Sequence, residues 1–201
     1  MKKISSGAEA IIYLDKNKII KHRISKSYRH PELDKKIIKQ RTKAEIKILI
    51  SASKIVSVPL PETKKEESKI IMPLIKGDKL SEKLDTYALE KQKKLMFNLG
   101  KETASLHKAG IIHGDLTTSN LIYKDKKIYF IDFGLGSLNG KYEDKGVDLH
   151  LLSQAIDAKH PKNSKKLFEN FKKGYSSKDK EEAEKIFEKL EKIERRRRYK
   201  H

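Results

Sequence analysis

Cysteine and tryptophan are absent from the 201-residue chain. Without cysteine there is no disulfide, no thiolate nucleophile and no cysteine-based zinc site. Acidic residues are scarce beside basic ones: 28 Asp and Glu stand against 47 Lys and Arg, a formal net charge of +19. That excess points to a polyanionic partner, such as nucleic acid, an acidic protein surface or a nucleotide. No apolar stretch approaches membrane-spanning length, and none follows Met1-Lys2-Lys3. The expectation is a cytoplasmic globular protein with no membrane partner. With 36% hydrophobic residues the chain can close at least one core, as one or two small domains.

What is present divides in two. Ala10–Leu14 and Ile19–Ile24, joined by the polar turn Asp15–Lys18, predict a hairpin. Residues 33–51 carry Leu33, Ile37, Ile38, Ala44, Ile48 and Leu49 at helical spacing. Val56–Pro59 and Lys69–Pro73 predict two more strands, with the charged segment Glu62–Lys69 as a solvated loop. Beyond a hinge at Met72–Gly77, helix dominates. Residues 87–109 have Leu89, Leu95, Met96, Leu99, Thr103 and Leu106 on one face and stop at Gly110. Leu121–Tyr123 and Ile128–Ile131 form a second hairpin, and helices follow near 145–158, 164–173 and 178–194. The fold class is α+β: a small strand-rich lobe (1–75), a reduced helical lobe (76–194) and a basic tail (195–201).

Chemistry concentrates in His113-Gly114-Asp115-Leu116-Thr117-Thr118-Ser119-Asn120 and, twelve residues after Asn120, in Asp132-Phe133-Gly134. An apolar strand delivers Asp132 to a turn, where its carboxylate can hold Mg²⁺. Asp115 and Asn120 share a tight loop, so one can act as a base while the other supplies a neutral oxygen to the metal. Magnesium takes few protein ligands, mostly carboxylate or amide oxygens, and completes its shell with phosphates. Phosphoryl transfer asks for that positioning and charge neutralisation. Either motif alone is a common turn; together and in this order they form a kinase-type site.

Such a site needs a strand lysine for the α/β-phosphates and a helix glutamate to hold it. Lys21 lies in an apolar strand, and Glu45 is the only acid between Asp34 and Glu62. The phosphate loop is unusual. Ser6-Gly7-Ala8-Glu9-Ala10 offers one glycine instead of three, with an acid where phosphates would lie. Glu9 is expected either in a hydrogen-bonded turn or in a contact that orders the loop or the following helix.

These segments, with Thr42-Lys43-Ala44-Glu45, Ile131–Gly136 and Glu143–Leu149, resemble the small atypical protein kinases of the KEOPS (EKC) complex, the PRPK-like family, over roughly residues 4–152. The resemblance implies a two-lobed protein-kinase-like fold and an ATP- and Mg²⁺-dependent serine/threonine kinase or ATPase, of archaeal size. It implies as partners the universal tRNA-modifying metalloprotein of that complex, a small regulatory subunit and tRNA, in threonylcarbamoyladenosine formation. Carried over by position, Ser6–Ala10 and Lys21 would meet the phosphates, and Glu45 would pair with Lys21. Met72, Pro73, Leu74 and Ile75 would meet adenine through their backbone. Asp115 would be the catalytic base, Asn120 and Asp132 the Mg²⁺ ligands, and Asp148 a tie on the catalytic loop.

Departures from ordinary protein kinases matter too. Gly114 replaces the arginine before the catalytic aspartate, Thr117 stands where a lysine is common, and sixteen positions separate Asp132 from Asp148 without an Ala-Pro-Glu. The peptide platform is therefore nearly absent, and weak autonomous peptide phosphorylation is expected. Arg195, Arg196, Arg197, Arg198 and Lys200 form the densest basic run, suited to an RNA backbone or a partner. His113 is expected to brace the catalytic loop, with the other histidines at the surface. Two further readings stand beside the kinase/ATPase: a small-molecule phosphotransferase of the same fold, and a nucleotide-binding scaffold for tRNA and a modification enzyme.

Overall fold

A computed structural model describes residues 1–62 and 66–198. The N-terminal lobe is an antiparallel sheet in the order β1-β2-β3-β4, made of β1 (Lys2–Ser6), β2 (Ala10–Asp15), β3 (Lys18–Arg23) and β4 (Lys69–Pro73). The β2–β3 hairpin closes on Lys16-Asn17, with Lys16 at φ +54°. Sequence reading missed β1, because its residues are all exposed and leave no alternating apolar signal.

Helix α1 (Pro31–Ala52) starts on a proline, whose missing N–H costs nothing in the first turn. Its buried face is not the apolar stripe expected. Leu33 is 54% exposed, and Asp34, Thr42 and Glu45 are buried beside Ile48, Leu49 and Ala52. Burying Asp34 is tolerated because it accepts hydrogen bonds from Ser25 Oγ (2.6 Å), the Lys26 backbone (3.2 Å) and Arg29 (3.2 Å).

Val56–Pro59 is not a strand. It makes one isolated parallel bridge, Ser57 to Tyr129, because Val56 N–H still bonds back to Ala52 and two prolines follow.

The second lobe opens with β5 (Asp78–Lys79) and α2 (Leu80–Lys83), then α3 (Leu89–Lys108). A second sheet, β5-β6-β7, is completed by β6 (Leu121–Lys124) and β7 (Lys127–Phe130). The β6–β7 turn places Asp125 and Lys126 at φ +49° and +63°. The lobe ends in α4 (Tyr142–Lys159), α5 (Ser164–Ser176) and α6 (Lys180–Arg198). Helices α3 and α5 cross closely at Gly100 and Gly174, where a methyl on either would collide with the facing backbone. Met96, Leu99, Leu106, Phe130, Phe133, Leu149 and Phe171 form the core, into which Ile111 and Leu116 flanking His113–Asp115 also pack.

Two expectations change here. Arg195–Arg198 are not a tail separate from the helical lobe: α6 runs through Arg198, and Arg196 pairs with Glu143 of α4 at 3.1 Å. Lys200 lies outside the described residues. Nor are the other histidines all at the surface, since His107, His150 and His160 are buried.

Candidate active site

β3 alternates. Lys21 and Arg23, two residues apart, leave the same face of the sheet and are both buried. Their cations meet Glu45 of α1: Lys21 Nζ lies 2.7 Å from one carboxylate oxygen and an Arg23 nitrogen 2.5 Å from the other. Lys21 also bonds Asp132 at 2.7 Å. Two cations and two carboxylates therefore balance in one cluster, which makes their burial tolerable.

Asp132 follows β7 in the left-handed region, φ +62°, where a non-glycine residue is strained. The strain is offset by Lys21 and by Gly134 N–H, which donates to the same carboxylate at 3.2 Å. Partial burial would raise the Asp132 pKa, but the Lys21 charge and hydrogen bond hold it below the ordinary carboxylate value. Phe133, fully buried, packs against the His113 ring at a tilt of 37°, with centroids 4.5 Å apart.

The loop between α3 and β6 carries Asp115 and Asn120. The Asn120 amide donates to both the backbone oxygen and a carboxylate oxygen of Asp115, each at 2.9 Å. That leaves the Asn120 side-chain oxygen free to accept or ligate. Burial pushes the His113 pKa down, so the ring is neutral. Its tautomer follows from its partners: Asp115 N–H donates to Nδ1 at 3.3 Å, and Nε2–H donates to the Ile131 carbonyl at 3.1 Å. Gly114, at φ +81°, faces the Leu135 carbonyl so closely that no Cβ fits. The absence of arginine there is thus a backbone requirement of this chain.

A cleft of about 340 Å³ opens beside this cluster. It is lined by the apolar residues Ile12, Ile19, Met72, Leu74 and Ile122 and by the polar groups Lys21, Asn120 and Asp132. A contiguous polar recess includes Gly7, Glu9, Arg41, Asp115 and Gly134. Asn120 and Asp132 offer two oxygen donors in the cleft, a set that suits Mg²⁺ completed by phosphates and water.

The RIO domain family matches residues 11–135. The chain belongs to the RIO-domain family, in the Bud32 group. It is 42% identical to the KEOPS complex subunit Bud32 of Pyrococcus abyssi, over 99% of this chain and 96% of that protein. It is 37% identical to the probable serine/threonine-protein kinase BUD32 homolog of Archaeoglobus fulgidus, over 98% and 96%. A probable bifunctional tRNA threonylcarbamoyladenosine biosynthesis protein of Methanobrevibacter smithii is 39% identical over 98% of this chain, which spans only 37% of that longer protein.

For a RIO-domain chain of this group, the fold and site are those of a kinase-type phosphotransferase. Lys21, Glu45, Asn120 and Asp132 line the cleft, as do Met72, Pro73, Leu74 and Ile75, and Asp115 lines the adjoining recess. Gly7, Ala8, Glu9 and Ala10 line the recess, while Ser6 ends β1. The basic residues Arg195 and Arg196, by contrast, sit on α6 and are exposed. Among the described residues no helix is long and apolar enough to cross a membrane.

Sequence reading missed Arg23 and His107. Arg23 has a signal, its i+2 spacing from Lys21, but it is hidden among many other basic residues. His107, six residues before His113, donates from Nε2 to Asp148 at 3.2 Å. Asp148 in turn accepts the His113 and Gly114 backbone N–H groups at 2.7 and 2.8 Å.

Proposed function

We propose that the chain binds ATP in the cleft and transfers its γ-phosphoryl group, as a serine/threonine kinase or ATPase subunit of a KEOPS-type complex that supports threonylcarbamoyladenosine modification of tRNA. The observation that carries this reading is the Lys21 ammonium between Glu45 and Asp132, beside the Asp115–Asn120 pair. Adenine would lie among the apolar residues against the backbone of Met72–Ile75, which sets the phosphates toward Lys21. Asp115 would take the acceptor's proton, held toward the cleft by the Asn120 amide. Asn120 and Asp132 would hold Mg²⁺, which neutralises charge developing on the transferred group.

The acceptor is the open part of the chemistry. Gly134 leads within a few residues to Ser137, which is pinned to Ile112 by two backbone bonds of 2.9 and 3.1 Å. That short segment leaves little surface on which a free peptide would lie. Water, or a hydroxyl delivered by a bound partner, fits better. Covalent union of this kind of chain with a second activity in the bifunctional relative supports a partner in the same assembly. The metalloprotein of the complex, a small regulatory subunit and tRNA are the partners proposed, with the basic run Arg195–Arg198 and Lys200 as the segment that would meet RNA phosphates.

The test follows γ-labelled ATP and Mg²⁺ into phosphoprotein and free phosphate, for the wild type and Asp132→Ala, alone and with partner and tRNA. Label on protein that disappears in the variant supports kinase action. Phosphate release that needs partner and tRNA supports an ATPase of the modification cycle. ATP binding without turnover in any mixture overturns the enzymatic reading.

A further inference from the structure

The phosphate loop has lost the glycines that usually shape such a loop, yet it is tied down by charge. Gly7 has no left-handed φ, and a methyl there would meet only the Ala10 carbonyl, at an ordinary 3.6 Å. The turn is closed by Gly7 N–H to the Ala10 carbonyl (2.9 Å) and by Ile24 N–H to the Glu9 carbonyl (3.3 Å). Three cations complete it. Lys26 Nζ donates to the Ala8 carbonyl, Arg41 donates to the Glu9 carboxylate, and Arg29 stands 4.0 Å from that carboxylate's other oxygen. Although desolvation works against it, the Arg41 hydrogen bond and charge, with help from Arg29 and Lys26, hold the Glu9 pKa below the ordinary carboxylate value.

Arg41 and Glu45 lie four residues apart on α1, hence one turn apart on the same side of the helix. One turn reaches down to Lys21 through Glu45; the next reaches out to the phosphate loop through Arg41. We infer that Arg41 is a positioning residue for nucleotide phosphates: through Glu9 it fixes the phosphate loop to the same helix that fixes Lys21, so that loop and lysine are presented as one preset unit.

This role presupposes the nucleotide reading of the cleft. The Glu9–Arg41 pair is about half-exposed at both ends, so its loss is small beside the stability of the fold but large enough to shift the loop's population. Ion pairs thus do here what glycine-shaped backbone does elsewhere, and Glu9, out of place as a phosphate ligand, is in place as a latch.

The test is a charge swap with two readouts. Arg41→Ala is expected to weaken ATP·Mg²⁺ binding about three- to five-fold by calorimetry, with the melting temperature unchanged. Glu9→Arg and Arg41→Glu alone are expected to weaken it more, and the double variant to recover to within about twofold of the wild type. Hydrogen exchange at residues 7–10 in the ligand-free protein should speed up in both single variants and slow again in the swap. Unchanged affinity and exchange in Arg41→Ala, or a swap no better than its worse single variant, overturns the role. Should the wild type bind no ATP, the nucleotide reading falls, and with it the role of Arg41 in presenting phosphates; exchange then reports only on the latch.

Discussion

The Tyr175 hydroxyl donates to Nδ1 of His107 at 2.7 Å, deep between α5 and α3. Burial, chiefly, pushes the Tyr175 pKa up, so its proton stays in place. The Asp148 oxygen facing Nε2 also accepts the His113 N–H, so Nε2 carries the ring proton and donates to it, and Nδ1 is left to accept from Tyr175; the other Asp148 oxygen accepts from the Gly114 backbone. A phenol on one helix thus caps a histidine on a second, which steadies a carboxylate on a third, and that carboxylate holds the loop bearing Asp115.

Tyr175→Phe keeps the ring and removes the donor. It leaves a buried nitrogen without its partner, at about 1–3 kcal/mol. The expected kinetic result is a several-fold fall in kcat with KM for ATP unchanged, because the relay ends at the catalytic loop and not at the nucleotide cleft. Steady-state ATP turnover with a parallel melting curve checks both.

Glu45 holds two buried cations, Lys21 and Arg23. Glu45→Gln therefore removes the charge facing Arg23 and leaves Lys21 with Asp132 alone, and is expected to cost about 3–5 kcal/mol of stability. Adding Arg23→Met to Glu45→Gln removes one unpaired charge and is expected to return part of that loss. Urea titration of the single and double variants measures the recovery.

Glu102 of α3 is pushed up to about 7 by burial, from an ordinary 4.5. A carboxyl whose folded pKa exceeds its unfolded one favours the fold while protonated. Its contribution is complete below pH 4.5 and is lost as pH rises toward 7. Glu102→Gln should match the wild type near pH 4 and exceed it by about 1–3 kcal/mol at pH 8. Denaturant unfolding at the two pH values decides this.

Two glycines separate cleanly. Gly114→Ala forces a left-handed residue into the Leu135 carbonyl and should displace the catalytic loop, abolishing turnover. Gly7→Ala meets nothing tight and should leave stability within about 0.5 kcal/mol. Melting curves, with turnover for Gly114→Ala, test the contrast.

The cleft was legible where chemistry dictates residue type at fixed spacing. His113–Asn120 and Asp132–Gly134 can be read from the chain because loop and turn geometry put their side chains together whatever surrounds them. Lys21 and Glu45 followed once that loop told what to look for. Arg23 did not, since a strand cation looks like surface until the helix glutamate is seen to take both. His107 was missed because a polar residue near a helix end reads as exposed, and its partners Tyr175 and Asp148 lie 68 and 41 residues away. The strand expected at Val56–Pro59 fails through local competition: the chain leaving α1 keeps bonding back to the helix, and prolines deny it a ladder.

Asp115, hydrogen-bonded to Asn120, is the residue proposed to remove a proton during phosphoryl transfer from ATP. The most direct measurement is turnover of ATP·Mg²⁺ by Asp115→Asn, under the partner conditions that support wild-type activity, with ATP affinity measured in parallel. A general base typically contributes a factor of about 10²–10⁴. The expected result is a fall of at least about 100-fold in kcat with ATP affinity kept. Wild-type turnover in Asp115→Asn would contradict it.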